Sequence, residues 1–201
     1  MAKPAWLTLS PTSGSGNGTI SNSSAAHTGR VKREGIVTVT GAGVSTPATY
    51  KVIQTPKGEF VNFSNGAELA VQKSGGTVTV TGKSNSSKLS FIWVGTSNVP
   101  LPNSFEAAGM ITANGSSIDG DPGATAEYNY NIEFTFPSNG TTDEITRTLK
   151  VTANGGQSAQ IAIKQAAGDA FLSVTPTEIT IPQDGSAVSV QVTSNTDWTV
   201  S

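Results

Sequence analysis

A hydrolytic triad needs a base that ionises near neutrality, and the 201-residue chain offers one histidine, His27. It stands in the polar stretch Ala26-His27-Thr28-Gly29-Arg30, where its expected role is loop polarity, not proton transfer. Paired carboxylates would have to converge across a cleft, but Glu133, Asp143, Glu144, Glu178 and Asp184 fall on strand or turn sequences with no pairing pattern. Asp119-Gly120-Asp121 holds oxygens suited to calcium but lacks the later ligands and the bidentate Glu of a calcium loop, so it reads as a turn. Gly14-Ser15-Gly16-Asn17-Gly18 precedes no helix and no Lys-Ser/Thr pair, which makes it a hairpin loop and not a phosphate cradle. No catalytic residue, metal site or cofactor is expected, and the chain reads as non-enzymatic. Sugar-stacking aromatics are the remaining chemistry. Trp93 and Phe105 are candidates by type, but Trp93 lies in Phe91-Ile92-Trp93-Val94, a core-strand sequence. Tyr128 and Tyr130 share one face of a strand, and an exposed face there would make them the glycan contacts.

Charge narrows the partners. Twelve Lys and Arg against 14 Asp and Glu give a net charge of −2, so no basic field gathers nucleic acid or anionic lipid. Cysteine is absent, which removes disulfides and thiolate chemistry together. No apolar run approaches the roughly 20 residues of a membrane span. The opening residues lead directly into Thr8, Ser10 and Pro11 without an apolar stretch of signal-peptide length, so no export signal is expected.

The elements that would position any site are strands. Apolar and hydroxyl residues alternate with period two in Ile36–Thr40, Thr77–Thr81, Ile132–Phe136 and Val188–Val192, separated by Gly- and Asn-rich turns. Phe105–Met110 is too short for a stable helix and reads as a bulged strand or a single turn. The stretch from Ser97 to Ala126, with its three prolines, reads as an elaborated loop outside the sheet core. The chain also repeats itself: Gln54 and Phe60 recur 111 residues later as Gln165 and Phe171, and Ser84-Asn85 recurs as Ser194-Asn195. That spacing is the size of one sandwich domain. Residues 58–168 are then a complete unit, residues 1–57 the closing half of another, and residues 169–201 the opening half of another.

Taken in the order last segment then first, Ser194-Asn195-Thr196-Asp197-Trp198 is followed by Trp6-Leu7-Thr8-Leu9-Ser10-Pro11, Gly14-Ser15-Gly16-Asn17, Arg33 and Gln54. This resembles the BACON family, immunoglobulin-like domains of Bacteroidetes proteins and of the phages that infect them. The middle unit keeps Ser84-Asn85, Arg147, Val151 and Gln165 but has no Trp-Leu-Thr-x-Ser-Pro match. The resemblance implies an all-β chain of two immunoglobulin-like β-sandwiches, one assembled from the N- and C-terminal segments, within one chain or between neighbours. The expectation is that this permuted boundary is native.

The residues expected to complement each other are Trp6, Leu7, Leu9, Val37 and Val39 from the first segment and Phe171, Val190, Val192 and Trp198 from the last. Each Trp left uncovered would forfeit roughly 4–6 kcal/mol of burial as an upper bound. The expected function is that of a virion structural protein, an auxiliary or decoration protein of a capsid similar to those of crAss-like phages. Its partners would be the major capsid protein and copies of itself, with glycan as a candidate ligand and neither nucleic acid nor membrane as a partner. It would be made in the host cytoplasm and placed on the capsid surface. The alternative is a carbohydrate-binding or spacer module of a secreted Bacteroidetes glycan-degrading system at the cell surface or in the periplasm.

Overall fold

In the computed structural model, which describes residues 3–201, three of the four period-two stretches, Ile36–Thr40, Thr77–Thr81 and Ile132–Phe136, fall in strands and the chain is all-β. The first segment carries β1 (Thr8–Ser10) paired antiparallel with β2 (Ser21–Ser23), and β3 (Arg33–Val39) paired antiparallel with β4 (Ala48–Gln54). The Gly14–Gly18 cluster lies in the exposed connection between β1 and β2, as its composition predicts.

The middle segment holds β5 (Val61–Phe63), β6 (Glu68–Val71), β7 (Gly76–Ser84), β8 (Leu89–Val94), β9 (Ser104–Ala107), β10 (Met110–Ala113), β11 (Tyr128–Phe136), β12 (Ile145–Ala153) and β13 (Ser158–Gln165). One sheet runs in the order β10-β9-β11-β7-β5 and the other β6-β13-β12-β8. Their inner faces share one core, with Val80, Phe105, Tyr130, Ile132 and Phe134 from the first sheet against Val71, Phe91, Leu149, Ile161 and Ile163 from the second. Strict alternation makes this core: along β11 the residues Tyr128, Tyr130, Ile132, Phe134 and Phe136 are all buried, while Asn129, Glu133 and Thr135 are exposed. Phe91 is the hub, edge-on to Phe105 at 5.0 Å and to Tyr130 at 5.6 Å.

The stretch from Ser97 to Ala126 departs from its reading as loop. β9 and β10 form a hairpin inside it, and Val99, Phe105, Ala107 and Ile118 are buried. The hairpin turns through Ala108 and Gly109, both at positive φ (52° and 81°), the mirror-image turn that matches strand twist. Asn114 after β10 reaches back to β8, accepting from Phe91 N at 2.8 Å and donating to its carbonyl at 3.0 Å, which blunts that sheet edge. A 3-10 turn over Pro122–Ala124 is the one helical element among the described residues, and none of the described residues forms a helix long and apolar enough to cross a membrane.

The last segment carries β14 (Leu172–Thr175) and β15 (Gln191–Ser194), paired antiparallel. The strand expected over Val188–Val192 begins only at Gln191, and Val188 and Val190 lie exposed ahead of it. β14–β15 is a sheet of its own and shares no ladder with β1–β4.

Candidate functional site at the junctions between units

Two sets of side chains tie one segment of the chain to the next. At the first junction Asn85, fully buried just past β7, uses all of its amide. Its Oδ1 accepts from Phe60 N at 2.9 Å, and its Nδ2 donates to the carbonyls of Thr28 at 3.2 Å and Gly58 at 3.1 Å. One side chain therefore binds the linker, its own unit and the preceding segment at once. Ser84, also buried, donates to Phe60 O at 2.7 Å and accepts from Ser86 N at 2.9 Å. A Ser-Asn pair suits this place because both side chains bond readily to nearby backbone.

The loop 28–31 docks along the turn 121–127. Arg30 N and Val31 N donate to the carbonyls of Gly123 and Ala124 at 2.9 and 3.0 Å, and Lys57 N donates to Gly29 O at 2.9 Å. The Arg30 guanidinium forks onto both oxygens of Asp121 and donates to Asn85 O at 3.2 Å. Its hydrogen bond, before any through-space charge effect, holds the Asp121 carboxyl below the usual carboxylate range, and partial burial opposes that shift. Lys57 Nζ meets Glu127 Oε2 at 3.0 Å and sits over the Phe60 ring, while Glu127 N donates to Thr28 Oγ1 at 3.1 Å. Asp119-Gly120-Asp121 is thus a turn, as read, but its second carboxylate is an anchor that the sequence did not disclose.

The second junction repeats the first. Asn195 Oδ1 accepts from Phe171 N at 2.9 Å, its Nδ2 donates to Gly140 O and Asp169 O at 2.9 Å each, and Ser194 Oγ donates to Phe171 O at 3.0 Å. Gly168 N donates to Thr141 O at 2.7 Å, the counterpart of Lys57 N on Gly29. The closing halves match too. Gln54 Nε2 donates to Ala25 O at 2.8 Å and Gln165 Nε2 to Pro137 O at 2.7 Å, and an arginine donates to each glutamine oxygen, Arg33 at 2.7 Å and Arg147 at 3.2 Å.

The residues expected to complement each other fall into three states. Leu7 and Val37 are already buried inside the first segment. Trp6, Leu9 and Val192 are half-buried, Trp6 with the Arg33 guanidinium 4.8 Å above its ring. Val39, Phe171, Val190 and Trp198 are exposed, Trp198 to 50%. A cleft of about 550 Å³ lies between the β1–β2 and β3–β4 sheets, with Leu9, Ile20, Val37 and Val39 along it.

Tyr128 and Tyr130 correct the expectation of an exposed sugar platform. They are 7% and 2% exposed, and their hydroxyls donate to Ser86 O and Asn62 O at 2.8 and 2.7 Å. Their shared face continues into Ile132, Phe134 and Phe136, the inner face of the sandwich, so neither ring is open to a glycan. Burial pushes the Tyr128 hydroxyl up to about 12 and raises Tyr130 further. Trp93 packs against Phe134 at 5.0 Å and donates from Nε1 to Val99 O at 2.9 Å. His27 holds its own loop, Nε2 lying 2.6 Å from Val31 O. Among the described residues no three of His, Cys, Asp and Glu gather as metal ligands.

No family model and no curated protein matches the chain. Among solved structures it is similar to a Bacteroides ovatus GH5 xyloglucanase in complex with a XXXG heptasaccharide, at 15% identity and a TM-score of 0.31. The similarity covers 54% of this chain and 19% of that one, so the match spans about a fifth of the enzyme's length.

Proposed function

We propose that this chain is a structural connector built from immunoglobulin-like units of the BACON type, holding successive sandwiches at a fixed angle, and that its setting is the outer shell of a virion. The observation that carries the mechanical part is the twice-built clasp. Asn85 and Asn195 each tie a linker to the unit on both sides, and at the first junction Arg30, Asp121, Lys57 and Glu127 add ion pairs to it. Hydrogen-bonded junctions of this kind, partly buried at the first and exposed at the second, restrict inter-unit motion, whereas a bare Gly/Ser linker would leave the units to swing. What supports the virion setting is the resemblance of the terminal segments to BACON domains, which occur in phages of Bacteroidetes as well as in Bacteroidetes proteins. The carbohydrate-binding alternative is weakened by the burial of Tyr128 and Tyr130.

Mass spectrometry of purified particles of Bacteroidetes phages, run beside the secreted fraction of their hosts, tests the setting. The expected result is peptides of this chain in the particles at a fixed ratio to the major capsid protein. Recovery only with secreted glycan-degrading enzymes would overturn it.

A further inference from the structure

We infer that Asn154, at the tip of the β12–β13 hairpin, is a site of slow self-modification: its side-chain amide is lost, the residue becomes Asp or isoaspartate, and the first junction loosens as the chain ages. The chemistry lies wholly within the middle unit and its linker and is independent of the virion setting.

The reaction needs an asparagine followed by a small residue. The amide nitrogen of that next residue gives up its proton and attacks the asparagine Cγ. A nitrogen–Cγ bond forms, the Cγ–Nδ2 bond breaks, and Nδ2 leaves as ammonia. The resulting five-membered imide adds water at either carbonyl and opens to Asp or to isoaspartate, in which the main chain runs through Cβ. Water is the only co-reactant. Glycine suits the second position because it sets no Cβ against the closing ring. The asparagine must also swing its amide over the following nitrogen, so hydrogen bonds that hold the amide oppose the reaction.

Four Asn-Gly pairs fall in the middle unit, beginning at Asn65, Asn114, Asn139 and Asn154. Three have their amides engaged. Asn65 Oδ1 accepts from Thr81 N at 2.6 Å, and Asn114 bonds both the N–H and the carbonyl of Phe91. Asn139, 6% exposed, donates to Asp143 O at 2.8 Å and Ala166 O at 3.0 Å and accepts from Thr141 N at 3.0 Å. Asn154 differs. Its backbone N donates to Ser86 Oγ at 2.9 Å, which fixes the peptide before it, but among the described residues no partner holds its amide. The hairpin bonds run from Gly156 N to Ala153 O at 3.0 Å and from Ala153 N to Gln157 O at 2.8 Å, so they leave the Gly155 nitrogen to the reaction. Asn154, Gly155 and Gly156 are all exposed, which admits water to the imide.

The product bears on the junction through Glu59, in the linker between Lys57 and Phe60. The Glu59 carboxylate lies so close to Gly155 that a methyl added there would overlap it, and its Oε1 is buried without a hydrogen-bond partner. Isoaspartate inserts a carbon into the main chain just ahead of Gly155, inside the turn closed by the Gly156–Ala153 bond. The turn then shifts against Glu59, and either product adds a second carboxylate to a place with no donor to spare. Repulsion and crowding both push the linker away from the hairpin.

The full chain is kept folded in mildly alkaline buffer for weeks and sampled by peptide mapping, with fragmentation that separates Asp from isoaspartate. A urea-unfolded sample shows the four pairs without their hydrogen bonds. The expected result is conversion of Asn154 in the folded chain at roughly ten times or more the rate of Asn65, Asn114 and Asn139, since one or two hydrogen bonds must break before those can react; the unfolded sample should lose this contrast. Equal rates at all four sites in the folded chain overturn the assignment, as does an Asn154 that reacts only when unfolded. X-ray scattering then compares the aged chain with Asn154→Gln aged alongside it, whose longer side chain closes such a ring far more slowly. A larger radius of gyration in the aged natural chain alone is expected, and equal dimensions after conversion overturn the effect on the junction.

Discussion

Arg30 and Asp121, 91 residues apart in sequence, meet fork to fork at the first junction, with Arg30 Nη1 2.6 Å from Asp121 Oδ1. The pair closes a contact whose backbone bonds already join loop 28–31 to turn 121–127. Its value is geometric, because Asp121 is partly exposed and solvent screens the attraction. The Asp121 carboxyl is held below its ordinary value, so its contribution is complete above the unfolded carboxylate range near pH ~4 and is lost as pH falls through the lower folded value. X-ray scattering from pH 7 downward should show the first junction loosening only under strongly acid conditions, and Asp121→Asn should remove that acid step.

Asn85→Ala should be far more damaging. It leaves Phe60 N–H and the carbonyls of Thr28 and Gly58 without their partner in a partly buried place, at about 1–3 kcal/mol for each group that finds no water. Urea unfolding should show the middle unit destabilised by several kcal/mol. Asn195→Ala, at an exposed clasp, should change the same transition little.

Gly29 sits against the backbone of Thr125, where an added methyl would overlap the carbonyl group. Gly29→Ala should part loop 28–31 from turn 121–127 while leaving the sandwich core intact. A larger radius of gyration with an unchanged unfolding midpoint for the middle unit checks this. A lowered midpoint with unchanged dimensions would contradict it.

Alkaline titration reads the buried tyrosines. Both Tyr128 and Tyr130 have folded values above the free phenol's ~10, so the stability they confer is full below pH ~10 and is lost as pH rises through the folded values, the Tyr128 hydroxyl at about 12. Tyrosinate absorbance should show two of the three tyrosines ionising late, together with loss of the folded signal.

Phe91→Ala should cost about 3–5 kcal/mol, since Phe105 and Tyr130 lose their shared partner and β-sheet neighbours cannot close the gap. Calorimetry should show the loss in the middle unit's transition.

The sequence made much of this fold legible, and physical reasons separate what it disclosed from what it hid. β3, β7 and β11 follow from period-two alternation, because one buried face imposes that period. The repeat of Gln, Phe and Ser-Asn marked the clasps without revealing their geometry. The β9–β10 hairpin was obscured by flanking prolines and by a turn placing Ala108 at positive φ, which alanine rarely adopts. The burial of Tyr128 and Tyr130 had a signal that was passed over, since they continue the apolar row of Ile132, Phe134 and Phe136. Arg30, Lys57, Asp121 and Glu127 carried no local signal, because their partners are 70 to 91 residues distant. The shortened strand at Val188–Val192 has another cause: alternation specifies a strand, but a ladder needs a neighbour, and among the described residues β15 pairs with β14 alone, over Gln191–Ser194.

The parallel neighbours β6 and β13 give the middle unit a property best expressed as force. The chain enters just before β5 and leaves just after β13, so tension through the linkers falls first on the short β5–β7 ladder and, once that parts, drags β6 and β13 in opposite directions along their shared length. Glu68–Val71 and Ala162–Gln165 would slide as a block, loading their hydrogen bonds together where a hairpin pulled from its open end would unzip them singly. A string of such units resists stretching in the direction in which its clasped linkers run.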